Sequence, residues 1–384
     1  MKILFCSQNP LDVRLGASKV IMELADAMGN VGWQCTVVSD QEIAPGVRSR
    51  SGIGRIRYFS AALRRFLQIH AAAYDVVDYD HIYLPYSRTQ FSASTLMVAR
   101  SVLLVHHFDR IRLPRLETRT WRATALISGP RRWASQEFAR RLADRTLRSS
   151  DLINVLNELD RSELERRGLR PEKIVVIPPG LTGRRLRAFS SNDPSVLPGR
   201  PRIAFVGTLD PRKGASDISE IMTRVSGEIA DVKIRLMGVR NLTTNDVMDL
   251  FPARLHAHLE IYREFRPEDL PGLLSDCSVG IFPSRIEGFG FGVLEMLAAA
   301  LPVVAYNAPG APMMLTSDYL VSPGDAAGMA RKVVDLLSSP QRLIAARHWA
   351  KRRSTDFRWE RSAQTTSDMY ISRLNQLRLH VSPR

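Results

Sequence analysis

The stretch IFPSRIEGFGFGVLEMLAAALPVVAYNAPG, residues 281–310, decides how this chain is read. An apolar run leads into a glycine-rich turn, then a small-residue helical run, then a second apolar run, PVVAYN. Strand, turn, helix and strand in that order make one unit of a parallel sheet. Glu287 stands before the turn and Glu295 follows it, with Gly288, Gly290 and Gly292 between them. Those glycines let backbone and a ligand approach closely. The helix is expected to begin near Phe291 to Val293. Its opening N–H groups and partial positive end would then form an anion site.

Two carboxylates flanking an anion site suit a ligand that carries both charge and vicinal hydroxyls. A nucleotide sugar is such a ligand, with one carboxylate for sugar hydroxyls and the other for ribose. The bland alternative is a buried helix with an incidental glutamate, and two charges in so apolar a segment argue against it. A second candidate is FVGTLDPRKG, residues 205–214, where Arg212 and Lys213 follow a strand and precede Gly214. Two cations there can neutralise a diphosphate: one ion pair at about 4 Å is worth roughly 4 kcal/mol at an effective dielectric near 20. Taken alone, the same segment also reads as a solvated basic loop.

Outward from these loops, short apolar runs alternate with helical patterns. Strands are expected at KILFCS (2–7), QCTVVS (34–39), DVVDY (75–79), SVLLVHH (101–107), LINVLN (152–157) and KIVVIPPG (173–180). After SSNDPSVLPGRP (190–201), which reads as a linker, they resume at RIAFVG, KIRLMG, LEIYREF, SVGIFPS, PVVAYN and YLVSPG. Continuous apolar strands separated by helices mean parallel sheets covered on both faces. The expected fold class is α/β, with two doubly wound Rossmann-like domains facing a central cleft. Their bounds are 1–190 and 191–361, with a last helix, 362–384, packing back on the first.

Composition is that of a globular protein, and 384 residues suffice for two domains. Cys6, Cys35 and Cys277 lie far apart in strand-like contexts and read as free thiols in a reducing compartment. MKILFCSQNP is too short for a signal segment and no run reaches membrane-span length, so a cytoplasmic location is expected. The net charge of +15 is uneven. Residues 1–190 hold 30 Lys and Arg against 18 Asp and Glu, or +12, which leaves +3 for the rest. Residues 110–148 alone hold 11 arginines. That basic surface favours an anionic partner, and the amphipathic stretch 130–150 reads equally as a membrane-surface helix or a solvated arginine face. Few aromatics interleave with the arginines, so nucleic acid is not expected. No Gly-x-Gly-x-x-Gly follows the first strand, which disfavours a nicotinamide enzyme. DYD at 78–80 ends a strand and reads as strand-end polarity, not a metal signature.

With these residues in place, the chain resembles the GT-B fold retaining glycosyltransferases of family 4, the glycosyl transferases group 1. The resemblance covers nearly all of it. It rests on Glu287 through Val304 (Glu-Gly-Phe-Gly, a second Glu, small residues, Pro-Val-Val), on Gly207, Lys213 and Gly214, on IVVIPPG, on LVSPGDAAGMARKVVDLL, and on DFRWE at 356–360. It implies that Glu287 binds the donor sugar, Glu295 the ribose, and Arg212 and Lys213 the diphosphate. Backbone of Phe289, Gly290, Phe291, Gly292 and Val293 would assist. Gly16, in the glycine loop after the first strand, would lie near the β-phosphate, and His106 would be the catalytic-site histidine. Departures are Thr208 for a frequent arginine, Leu15 for a second glycine, Met313 for a frequent glutamate, and Pro179 for an asparagine.

The implied reaction moves a sugar from a nucleotide-diphosphate-sugar donor to an acceptor hydroxyl with anomeric configuration retained, with no cofactor and no metal. The acceptor would be a glycan or a lipid-linked one, in cell-surface polysaccharide or glycolipid synthesis at the inner face of the membrane. One alternative is a nucleotide-sugar 2-epimerase on the same fold. Another is a non-catalytic protein whose basic face holds anionic lipid or nucleic acid.

Overall fold

The structure, a computed structural model, describes residues 1–12, 15–109 and 119–381, with side chains described for 1–12, 15–108 and 133–379. Val13 and Arg14 of the expected glycine loop, and residues 110–132 of the basic stretch, thus lie wholly or in part outside it. The described residues of Met1–Phe108, Ser128–Thr182 and Arg358–Arg384 form one compact unit, and those of Asp109–Ile127 and Gly183–Phe357 a second.

The first unit is built on β1 (Lys2–Cys6), β2 (Gln34–Val38), β3 (Val76–Asp80), β4 (Leu96–Arg100), β5 (Leu152–Val155) and β6 (Ile174–Val176). They pair in the order β2-β1-β3-β4-β5-β6, every pairing parallel. Ile3, Leu4 and Phe5 in β1 and Leu152 and Ile153 in β5 are at most 1% exposed. That is the burial expected of strands covered on both faces.

One expected strand is displaced. SVLLVHH lies beyond β4, and the strand itself is the preceding LMVAR, ending in Arg100. A charged residue in a fully buried strand is stable there because it is saturated. Arg100 donates to both carboxylate oxygens of Asp78 and, at 3.1 Å, to Tyr370 Oη, while Tyr370 donates to Asp78 at 2.7 Å. Tyr370 lies on helix Trp359–Val381, some 270 positions away. The same helix receives Trp33 Nε1 on Ser367 Oγ at 2.9 Å, and its first residue, Trp359, donates to Glu23 at 2.6 Å. At its entry, a Cβ on Gly180 would lie 2.5 Å from the Arg358 backbone, so glycine is required there.

The second unit holds β7 (Arg202–Val206), β8 (Lys233–Met237), β9 (Leu259–Tyr262), β10 (Val279–Phe282), β11 (Val303–Tyr306) and β12 (Leu320–Val321). The order β12-β11-β10-β7-β8-β9, all parallel, reverses direction between β7 and β10. This is the strand order of a doubly wound nucleotide-binding sheet, whose ligands sit beyond the carboxyl ends at that switch point.

The units change over at Thr182/Gly183 and Phe357/Arg358, earlier than the expected 190/191 and 361/362. The reason is anchoring. Arg185 pairs with Glu295 at 2.6 Å, and Lys351 Nζ donates to the carbonyl of the buried Phe189. The expected linker is tied down too: Arg347 donates to the carbonyls of Asp193 and Pro194, and Asn192 to that of Pro271. No helix among the described residues is long and apolar enough to cross a membrane.

Candidate active site

Both loops singled out in the sequence leave the second sheet at its switch point. β7 is followed by Gly207, whose φ of +148° favours glycine and whose N–H still reaches Met237 O on β8 at 2.8 Å. Asp210 then caps a single turn, Pro211–Lys213, accepting from the N–H groups of Arg212 and Lys213 at 3.0 and 3.1 Å. Thr208 donates to the same carboxylate at 3.0 Å. Gly214, with φ of +74°, closes the turn where a Cβ would come within 2.2 Å of Pro283 O. The first loop is therefore pressed against the second.

The second loop follows β10 and carries Glu287 onto the cations. Lys213 Nζ pairs with Glu287 Oε2, Arg212 Nη1 lies 3.6 Å from the same oxygen, and Ser284 Oγ donates to it at 3.3 Å. Arg212 also donates to Ile286 O at 3.0 Å. Burial pushes the Glu287 carboxyl up, but the charges of Lys213 and Arg212 outweigh it and hold the group below its ordinary range. Glu287 is a carboxylate at neutral pH, and the pair is compact and mostly buried, with 14% and 16% of the two side chains exposed.

Helix Phe291–Ala298 opens at Gly290, in the left-handed region at φ of +91°. A Cβ on Gly292 would approach Val206 O to 2.8 Å, so only glycine lets the helix start against the end of β7. The Phe289 and Val293 side chains point inward at 2% and 0% exposure, and the Val293 N–H is used within the turn, donating to Gly290 O at 2.9 Å. Glu295 sits on the second turn and pairs with Arg185.

In the first unit, Gly16 opens helix Gly16–Asn30, and a Cβ there would meet nothing within 4 Å. Packing within the unit does not demand glycine at that position. His106 does not end a strand. It lies in the 3₁₀ turn Val105–Asp109, fully buried, with Nε2 at 2.9 Å from Asp144. Burial lowers its pKa more than Asp144 raises it, so the ring is neutral at neutral pH. A carboxylate on Nε2 fixes the proton there, and the buried Nδ1 has no hydrogen-bond partner among the described residues. His107 pairs separately with Asp160 at 2.7 Å. Asp78 of the DYD run is consumed by Arg100 and Tyr370, and Asp80 accepts from Gln8 at 2.9 Å. Among the described residues, no group of three or more His, Cys, Asp or Glu is arranged to hold a metal ion.

The sequence matches the family described as Glycosyl transferases group 1 over residues 200–339, and that described as Glycosyl transferase 4-like domain over 16–180. The chain belongs to the group 1 glycosyl transferases. Relatives in this family include the MMP alpha-(1->4)-mannosyltransferase of Mycolicibacterium hassiacum, 27% identical over 70% of this chain and 64% of that one. The D-inositol 3-phosphate glycosyltransferase of Streptomyces coelicolor is 25% identical over 55% and 52%. The chain thus spans between about half and two-thirds of the length of these two curated relatives. Among solved structures, sucrose-phosphate synthase from Thermosynechococcus elongatus aligns at a TM-score of 0.73 and 16% identity, covering 97% of this chain and 98% of that one. Anabaena HepE in complex with UDP aligns at 0.67 and 16%, covering 97% and 100%. The fold is GT-B.

Within this group 1 glycosyl transferase, sequence reasoning missed five residues that shape the site. Asp210 had a local signal, since an Asp directly before Pro at a turn start is a capping pattern. Arg185, Asp217 and Tyr306, like Arg285 beside them, had none, because each acts on a partner at least 68 positions away.

Proposed function

We propose that this chain transfers a sugar from a nucleoside diphosphate sugar to an acceptor hydroxyl, with retention at the anomeric carbon. The observation that carries this reading is the meeting of Lys213, Arg212 and Glu287 at the switch point of the second sheet, beside a glycine-opened helix. Lys213, Arg212 and the opening amides of helix Phe291–Ala298 meet the diphosphate, and Gly207 gives it room. Glu287 accepts from sugar hydroxyls and Glu295 from those of the ribose. Neutral His106, fully buried on Asp144 in the first unit, does not act as a strong base. The likeness in fold to Anabaena HepE, whose structures hold UDP and UDP-glucose, supports a donor of this class.

In the reaction, the bond between the anomeric carbon and the phosphate oxygen breaks and the acceptor oxygen bonds on the same face. The acceptor proton passes to the departing phosphate oxygen. Negative charge grows on the diphosphate as the bond breaks, and preorganised cations stabilise that charge most where it develops. These protein groups supply the neutralisation, so activity is expected to survive EDTA. The acceptor is a glycan or a lipid-linked glycan. The +12 of residues 1–190 favours its presentation at an anionic membrane face, with Trp133 and Arg141 exposed on helix Arg119–Ser149.

A thermal-shift panel of UDP, GDP, ADP and dTDP with their sugars tests the reading. Ligand at about 100 times its Kd adds roughly 2.7 kcal/mol, or several degrees in Tm. One series is expected to stabilise the wild type and to lose that effect in Glu295→Ala. Stabilisation by none of them would remove the donor from the account.

A further inference from the structure

Behind the cation–carboxylate pair, three more side chains of the second unit meet. Asp217, in the first turn of helix Ala215–Glu228, accepts on one oxygen from Arg285 Nη2 at 2.5 Å and from Tyr306 Oη at 2.7 Å. The Arg285 guanidinium lies 5.6 Å from the Tyr306 ring centroid. Tyr306 is fully buried and Asp217 is 9% exposed. Burial and the neighbouring carboxylate hold the phenol protonated, so it remains a donor.

These residues come from three places that need to agree. Asp217 follows Lys213 by four positions, Arg285 precedes Glu287 by two, and Tyr306 ends β11. Arg285 is also tied through its backbone, its N–H donating to Arg212 O at 2.8 Å. From the other side the Pro323–Gly324 turn closes over it, where a Cβ on Gly324 would come within 3.1 Å of Nη1. A buried charged contact with two donors on one carboxylate oxygen has little freedom to shift. Loops that carry function need such support from a rigid scaffold.

We propose that Asp217, Arg285 and Tyr306 are positioning residues that brace the loop carrying Glu287 against the loop carrying Lys213, and thereby set how firmly the donor's sugar is held. The functional half rests on the donor reading above; the structural half rests on the contacts alone. None of the three touches the reacting atoms. Their removal therefore acts on sugar recognition through Glu287 and leaves the diphosphate contacts in place.

The test uses the full chain with Arg285→Gln, Arg285→Lys and Tyr306→Phe. Hydrogen exchange follows amides 284–290, and calorimetry compares UDP with UDP-glucose and GDP with GDP-mannose. In Arg285→Gln, exchange at 284–290 is expected to accelerate while amides in β7 and β10 keep their protection. Affinity for the sugar nucleotide falls about tenfold, as for a misplaced binding group, while that for the parent diphosphate stays within about twofold. Arg285→Lys recovers part of the loss. Unchanged exchange at 284–290 overturns the brace, whether or not any nucleotide binds. Parallel loss of both affinities also overturns it, because a purely structural role predicts that. A wild type that binds neither series moves the comparison to ADP and dTDP with their sugars; binding of none of the four defeats the donor reading, and the exchange result still decides the brace. Should Arg285→Gln fail to fold, Tyr306→Phe removes only one hydroxyl and gives the same two readouts.

Discussion

Within the first sheet, Asp78 and Arg100 meet at 2.7 Å with side chains 2% and 4% exposed, and Tyr370 Oη donates to the same aspartate. At the switch point of the second sheet, Lys213 and Glu287 meet in loops beyond the strands, with 14% and 16% exposed. The chemistry is the same and the setting differs. The first pair is deep in a sheet, and its hydrogen-bonding partners tie strands to a distant helix. The second is carried on glycine-flanked turns beyond the strands, and its side chains are several times more exposed. Buried pairs with no other use hold structure together, and partly open pairs at a strand's carboxyl edge are available for ligands.

The largest expected effect breaks the first pair. Asp78→Ala leaves Arg100 buried without its carboxylate and is expected to cost about 3–5 kcal/mol in urea denaturation, while any nucleotide-induced shift keeps its size. An unchanged stability would mean the two pairs are not different in kind. Next, Lys213→Ala should lower turnover about 10²- to 10³-fold with an unaltered circular dichroism spectrum. A stability loss matching that of Asp78→Ala would assign the second pair to structure as well.

Acid titration sharpens the contrast. The folded pKa of Glu287 lies below its ordinary value, so its pairing stabilises the fold above the unfolded carboxylate range and fades as pH falls toward the folded value. The stability difference between wild type and Glu287→Gln should shrink below about pH 4.3. His106 gives the same direction in a higher window. Its folded pKa is lowered, so the unfolded chain takes up the proton first, and stability declines as pH falls below about 6.5. A His106→Gln variant that kept the same slope there would assign it to other groups. The smallest effect is expected from Arg141→Ala, whose partner is Glu137 and whose side chain is 72% exposed. It should stay within about 0.5 kcal/mol.

Eleven of the strands were legible as short apolar runs, most of them buried residue after residue, because that pattern is written locally. β4 was not, because LMVAR ends in a charge that only Asp78 and Tyr370 make tolerable. The unit boundary escaped for a similar reason: SSNDPSVLPGRP has the composition of a linker, yet Arg347 fixes its carbonyls from far along the chain. In the site, the glycines, cations and glutamates stood out by spacing. What holds them, in Asp217, Arg285 and Tyr306, is a set of long-range contacts that no window of sequence contains.

Helix Trp359–Val381 makes the first unit discontinuous in the chain. Its sheet emerges from the ribosome complete by Val176, but Tyr370 and Trp359 follow only after Gly183–Phe357, a stretch of 175 residues. At about 5–20 residues per second, that is a wait of roughly 9–35 s. For that interval the Asp78–Arg100 pair and the Trp33 face have no covering helix. The segment Gly183–Phe357, which carries all six strands of the second sheet, is synthesised before that helix. The first unit is therefore begun first along the chain and completed last.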